Sequence, residues 1–102
     1  MENSSTLREY LEARVGNTKT IDPSWVPPRS IMESFAFRDN VNQEAVNGLI
    51  KDYWCSRGYD FSLLHAGFSS TSSLARKDKE IIIISTCYCP KHSFHVDINY
   101  RQ

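Results

Sequence analysis

The sequence is poor in the residues that build nucleotide and metal sites. Only four of its 102 residues are glycine and three are cysteine. It contains no glycine-rich phosphate loop, no paired acidic metal motif and no nucleophile elbow. We therefore expect no cofactor, and the sequence offers no positive reason to expect an enzyme.

Charge of one sign and long apolar runs are also lacking. Twelve basic and twelve acidic residues cancel, which removes the usual electrostatic argument for a nucleic-acid or membrane-surface protein. No segment approaches the roughly 20 apolar residues that a transmembrane helix needs. We expect no association with a membrane.

The cysteine count is odd, and no apolar segment near the N-terminus has the character of a secretory signal. Both features argue against a disulfide framework. The three cysteines are therefore predicted to be reduced thiols in an intracellular protein, either cytoplasmic or nuclear.

What is present is a strong strand pattern near the C-terminus. Residues 81–84 are all isoleucine, and residues 85–89 are also better suited to a strand than to a helix. Apolar and polar residues then alternate over residues 94–101, which is the period of a half-buried strand. Residues 90–93 break the run, so the two segments are predicted to form an antiparallel hairpin.

The length of the hairpin loop decides which faces its strands present. A loop of two or four residues places Cys89 opposite Phe94 and Cys87 opposite Val96. A loop of three or five residues would instead turn the side chains of one strand to the opposite face of the sheet. The first register predicts a core face made of Ile83, Ser85, Cys87, Cys89, Phe94, Val96, Ile98 and Tyr100. It predicts an outer face made of Ile82, Ile84, Thr86, Tyr88, His95, Asp97, Asn99 and Arg101.

Two helices are predicted upstream. Thr6 and Glu9 form a capping box ahead of a short amphipathic helix over about residues 7–15. A longer helical pattern runs from about Asn42 to Arg57. Gly48 lies inside it and costs up to about 1 kcal/mol relative to alanine, which a close helix–sheet contact would justify.

The remaining segments are predicted from alternation and turn residues. Residues 59–66 alternate as a strand, and the serine-rich residues 69–79 are predicted to form a loop. Residues 30–40 carry both a second capping box and two phenylalanines at strand spacing. We interpret them as a strand because the phenylalanines run into an Asp-Asn turn.

The predicted fold is a two-layer α+β sandwich. One mainly antiparallel sheet of three to four strands carries one long helix, with the short N-terminal helix in addition. Residues 1–29 form the N-terminal helix and a proline-containing arm, and residues 30–102 form the α+β domain. Trp25 in the arm either folds back onto the domain or contacts a partner.

Cysteine and histidine are the residue types that bind zinc, and four of them lie close together near the hairpin turn: Cys87, Cys89, His92 and His95. In the predicted register His95 lies on the opposite face from both cysteines, so we expect core thiols rather than a zinc site. In the same register no cysteine lies on the face of His95 and Asp97. A Cys–His–Asp nucleophile would need a thiol beside the imidazole, so we do not expect one.

The sequence is therefore predicted to encode a non-enzymatic protein–protein interaction module, such as an adaptor or regulatory subunit. Its partner is another protein or a second copy of the chain. The predicted binding residues are Ile82, Ile84, Tyr88, His95, Arg101 and Trp25. The alternative is a small domain that binds RNA or single strands through the same face and the basic loop at Arg76, Lys77 and Lys79.

Overall fold

The structure is a computed structural model, and it describes residues 6–21, 31–67, 69–89 and 93–101. Two helices and six strands lie in these ranges. In chain order they are α1 (Leu7–Arg14), β1 (Thr18–Thr20), β2 (Ile31–Phe37), α2 (Gln43–Cys55), β3 (Asp60–Ala66), β4 (Ser70–Lys77), β5 (Glu80–Cys89) and β6 (Ser93–Arg101).

All six strands form one antiparallel sheet in the order β1-β2-β6-β5-β4-β3. The α+β class is confirmed, with one short and one long helix, whereas the predicted three to four strands were too few. Strands β3 to β6 follow one another as hairpins, and β2 pairs with β6 to close the order. Among the described strands, β1 and β3 are therefore the two at the edges of this order.

Helix α1 is built as its capping box predicts. The Thr6 hydroxyl accepts a hydrogen bond from the Glu9 amide at 3.1 Å, and the Glu9 carboxylate accepts one from the Thr6 amide at 3.0 Å. Leu7 and Leu11 are fully buried in the core. The apolar stripe of α1 therefore packs on its own domain.

Helix α2 begins after Asn42, whose side chain accepts a hydrogen bond from the Ala45 amide at 2.9 Å. The chain turns away at Gly58, where φ is +86° and a residue without Cβ is favoured. The buried face of α2 packs with α1 against one face of the sheet, and it consists of Val46, Ile50, Tyr53 and Trp54.

Gly48 does not serve the close helix–sheet contact that was expected of it. A Cβ atom built at this position would have no neighbouring atom within 4 Å, and the residue is exposed. The tight packing explanation is therefore wrong, and another reason is needed for a glycine in mid-helix.

Two segments predicted to lack regular structure contain strands. Strand β4 replaces the predicted loop at residues 69–79, and its alternate residues Thr71, Ser73 and Ala75 are buried. Strand β1 lies in the predicted linker and is tied to α1, because the Arg8 guanidinium donates to the hydroxyls of Thr18 and Thr20, at 2.7 Å each. Residues 22–30, including Trp25, lie outside the described residues.

The register of the β5–β6 hairpin differs from the prediction. Cys89 pairs with Ser93, and Cys87 pairs with His95, as three intervening residues require. This flips β5 relative to β6, so Ile82 and Ile84 are only 3% and 1% exposed and lie in the core. The isoleucine run is apolar on both faces, so its periodicity did not show which face is buried.

Candidate functional site

One face of the sheet carries the helices, and the opposite face presents a surface on β4, β5 and β6. Cross-strand pairing places four rows on this surface, with Leu74, Ile83 and Asn99 forming one of them. We call this surface the outer face. Its residues are Ser70, Ser72, Leu74, Arg76, Ile81, Ile83, Ser85, Cys87, His95, Asp97, Asn99 and Arg101.

The outer face is partly open to solvent. Arg76 and Arg101 are exposed, and the other ten residues are of intermediate exposure. On the adjoining strand β2, by contrast, Ser34 and Ala36 are buried. The accessible part of this side of the sheet therefore centres on β4, β5 and β6.

The predicted binding residues are divided between the two faces. His95 and Arg101 lie on the outer face as predicted, whereas Ile82 and Ile84 lie in the core. Tyr88 is also on the helix side of the sheet, where its ring lies 4.9 Å from that of Phe94. Its assignment to the outer face was wrong for the same reason of register.

Tyr88 has a structural contact that accounts for its position. Its hydroxyl donates to the Val41 carbonyl at 2.6 Å, so it ties β5 to the residue just before the cap of α2. The side chain is still 39% exposed. Tyr88 therefore anchors the start of α2 rather than contributing to the outer face.

The corrected register brings together three groups that the predicted register separated. Cys87 lies directly opposite His95, and the His95 Nδ1 atom is 3.3 Å from Asp97 Oδ2. Directly opposed residues in a sheet have Cβ atoms about 4.5–5.5 Å apart, which is within reach of a thiol and an imidazole. Thiol, imidazole and carboxylate therefore follow one another in the order of a nucleophile, a base and an orienting group.

The zinc set is only partly described. His92 and the side chain of Cys89 lie outside the described residues. Within the described ranges, no group of three or more histidine, cysteine or acidic side chains is positioned to hold a metal ion. Cys87 and His95 are the two members of the set that the structure brings together.

The residues of the predicted basic loop lie on a strand and a turn and do not share one surface. Arg76 belongs to the outer face. Lys77 instead donates to the Arg57 carbonyl at 3.0 Å and lies 5.5 Å from the centre of the Tyr59 ring. A continuous basic stripe along β4 is therefore absent from the described residues.

A groove between α2 and the β3 edge was not predicted from the sequence. Its volume is about 300 Å³, and its lining residues are Asn47, Gly48, Lys51, Phe61, Leu63, Thr71 and Ser73. On β3, Leu63 and Leu64 are 60% and 55% exposed, and the register shifts between Leu63 and His65. The available signal was the polar pair Asn47-Gly48 beside the apolar stripe of α2.

The floor of the groove is polar although it lies on the core side of the sheet. The Thr86 hydroxyl donates to Asn47 Oδ1 at 3.0 Å, and Asn47 Nδ2 donates to the Thr71 hydroxyl at 3.4 Å. Asn47 therefore links α2 to both β4 and β5. This bridge holds the helix in place next to the groove.

Three tyrosines have raised pKa values. A hydrogen bond from Tyr59 to Glu80, at 2.6 Å, raises the pKa of Tyr59 to about 12, with burial and the Glu80 charge adding to the effect. Burial, followed by the Glu33 charge, raises the pKa of Tyr100 to about 12. Burial also raises the pKa of Tyr53. These phenols remain protonated at neutral pH.

Known proteins provide no guide to this arrangement. Comparisons with protein-family models, with curated proteins and with solved structures found no match to the chain. No helix among the described residues is long and apolar enough to cross a membrane.

Proposed function

We propose that the protein is a non-enzymatic interaction module that binds a second copy of itself through the outer face. The observation that carries this proposal is an apolar centre, flanked by opposite charges, on a sheet face that the helices do not cover. The proposal keeps the predicted class of function and replaces the predicted apolar binding residues.

The apolar centre consists of Leu74, Ile81 and Ile83. Leu74 pairs with Ile83, and Ile81 lies in the next row on the same face. The solvent face of an antiparallel sheet usually carries polar residues. Three neighbouring aliphatic side chains there have the composition of the core of an interface.

The charges on the outer face are arranged for pairing with an identical surface. Asp97 lies one row from Ile83, and Arg101 lies one row from Ile83 in the opposite direction. A two-fold axis through the Ile83 row, perpendicular to the strands, would place Asp97 of each copy against Arg101 of the other. Such reciprocal contacts are those of a closed two-fold dimer.

Small side chains permit close approach of two sheets at this surface. Ser72 and Ser85 face each other with their hydroxyl oxygens 3.4 Å apart, next to the apolar centre. Sheets pack face to face at about 10 Å when side chains interdigitate. Short residues beside Leu74 and Ile83 provide space for the aliphatic side chains of the partner copy.

The oligomeric state tests the proposal. We expect sedimentation equilibrium to show a dimer, and Ile83→Lys to weaken it at least tenfold, as burial of an unpaired charge at an interface core requires. Leu63→Lys is the matched control, because Leu63 is an exposed leucine of the same sheet outside the outer face. A monomeric wild type, or equal dissociation for both variants, would refute the proposal.

A charge exchange tests the arrangement of the two copies. Arg101→Glu is expected to weaken the dimer several-fold by placing like charges opposite each other. Adding Asp97→Lys reverses the charge of both members of the proposed ion pair, and it is expected to restore part of the lost dimer affinity. If the double variant dissociates more than Arg101→Glu alone, the proposed two-fold pairing is incorrect.

The geometry gives less support to nucleic-acid binding. Single-strand binders stack bases on aromatic side chains, and the outer face as defined contains no phenylalanine, tyrosine or tryptophan, so His95 supplies its one aromatic ring. A wild-type monomer that binds single-stranded RNA with affinity falling steeply with salt would favour the alternative over the dimer.

A second candidate function, thiol chemistry, is favoured by the position of Cys87 opposite His95. Transfer of the thiol proton to the imidazole would produce a thiolate, which displaces iodide from iodoacetamide and forms a carbon–sulfur bond. We expect alkylation of Cys87 to exceed that of Cys55, which is exposed, when both sites are followed by peptide mass spectrometry.

Two variants test the roles of the neighbouring groups. His95→Gln is expected to slow alkylation of Cys87 but not of Cys55, and Asp97→Asn is expected to have a smaller effect in the same direction. Equal rates at the two cysteines, or no response to His95→Gln, would exclude this candidate.

A further inference from the structure

Part of the helix-side face of the sheet remains open between α2 and the β3 edge. Leu63 pairs with Ser73, Ser73 with Ile84, and Ile84 with Ile98, so these four residues form one row. Ile84 and Ile98 are at most 1% exposed, whereas Leu63 is 60% exposed. Because the row lies on one face, α2 covers its centre and leaves its β3 end open.

The open end has an apolar wall. Phe61 and Leu63 both line the groove, and Phe61 also packs against the core. Liquid water occupies about 30 Å³ per molecule, so the groove volume of about 300 Å³ has room for about ten water-sized groups. That size lies at the lower limit of small-molecule sites.

The floor offers hydrogen bonds. Ser73 is buried and lines the groove, and no other described residue forms a hydrogen bond with its hydroxyl. The neighbouring Thr71 hydroxyl is already an acceptor for Asn47. A ligand that reaches the floor therefore meets a hydroxyl able to donate or accept.

The rim carries a positive charge and an open stretch of helix. Lys51 is exposed, lines the groove and has no ion pair with any residue in the described ranges. One helical turn earlier, Gly48 places no side chain over the opening, and a Cβ there would contact nothing. The glycine thus leaves open an entrance next to a cation.

We propose that this groove binds a small aromatic carboxylic acid with a polar group opposite its carboxylate. Lys51 would pair with the carboxylate, Phe61 and Leu63 would contact the ring, and Ser73 would hydrogen bond the far polar group. A rigid ring suits this arrangement because it holds the two polar ends apart with little loss of conformational entropy. The site is separate from the outer face and does not depend on the proposed dimer.

The test uses 4-hydroxyphenylacetate as the probe in a two-dimensional amide NMR titration of the whole chain. A half-open site of this size is expected to bind with Kd of about 1 mM. Saturable shifts are expected at Gly48, Lys51 and Ser73, with none at the outer-face residues Ile83 and His95. Absence of saturable shifts up to the solubility limit, or shifts confined to the outer face, would refute the proposal.

Two related compounds test the polar ends of the ligand. Replacing the carboxylate by an alcohol, in 4-hydroxyphenylethanol, is expected to weaken binding about fivefold through loss of the pair with Lys51. Removing the hydroxyl, in phenylacetate, is expected to weaken binding by a similar factor. Equal affinity for all three compounds would show an apolar surface without the proposed specificity.

Variants assign the contacts to particular residues. Lys51→Ala is expected to weaken the acid about fivefold and to leave 4-hydroxyphenylethanol unchanged, while Lys79→Ala, an exposed lysine outside the groove, changes neither. Gly48→Leu is expected to abolish binding by filling the entrance. If Gly48→Leu fails to fold, Lys51→Ala decides, because that residue is exposed; an equal loss for acid and alcohol would refute the carboxylate contact.

Discussion

The two ends of one cross-strand row differ more than their sequences suggest. Ile84 at the centre of the sheet is buried under α2, whereas Leu63 at the β3 end of the same row is 60% exposed. Both are aliphatic residues of comparable size on the same face. The comparison shows that the position of the helix, and not residue type, decides which part of this face is core and which part is available to a ligand.

Truncation of the two residues gives the largest expected contrast. Ile84→Ala removes a fully buried side chain, and we expect the free energy of unfolding to fall by about 2–5 kcal/mol. Leu63→Ala removes an exposed one, with an expected loss of about 0.5 kcal/mol or less. Urea denaturation followed by circular dichroism measures both. Similar losses for the two variants would mean that the β3 end of the row is covered after all.

Asn47 on α2 hydrogen bonds to Thr86 on β5 and to Thr71 on β4, next to the open part of the sheet. Asn47→Ala leaves the hydroxyl of Thr86, a residue only 2% exposed, without its acceptor, so we expect a loss of about 1–3 kcal/mol in the free energy of unfolding. Lys51→Ala, on the same helix and exposed, is the control and should change stability little. A neutral Asn47→Ala would show that the bridge does not position α2.

A substitution at Gly48 tests whether the glycine beside the groove lowers the stability of the fold. Because a Cβ there contacts nothing, we expect Gly48→Ala to raise the free energy of unfolding by about 0.5–1 kcal/mol. The matched reference is wild type under the same urea titration. A decrease in stability would show that this part of the helix requires glycine for packing or conformation.

The smallest effect is expected from Tyr59 and Tyr100, two partly buried tyrosines that pack against the core. The pKa of Tyr59 and that of Tyr100 are raised from 10.0 to about 12. The unfolded chain loses these protons first, so their contribution is complete below about pH 10 and is lost as the pH rises toward 12. Tyr59→Phe should flatten this decline in thermal stability between those pH values. An unchanged decline in the variant would exclude Tyr59 as a cause.

Local sequence signals predicted several elements correctly. The capping box placed α1, the apolar stripe placed α2, and strand-like alternation placed β2, β3 and β6. These features depend on contacts between residues close in sequence, or on the period of a half-buried element. Such signals are present in the chain before it folds.

Strand β4 was missed because its residues lack strand preference. Its sequence is rich in serine, and short polar side chains are typical of loops. In the folded chain, however, β3 and β5 flank this segment and satisfy its backbone hydrogen bonds. Tertiary pairing therefore overrides local preference at this position.

Local patterns were enough to predict the helices, the α+β class and the alternation of β6. They could not show which face of β5 is buried, and so they could not place Ile82, Ile84 or the Cys87–His95 pair, because a run of isoleucines is apolar on both sides and its phase depends on the loop register and on where α2 packs. The groove could not be predicted either, because Lys51, Leu63 and Ser73 come from three different elements that meet in the folded chain.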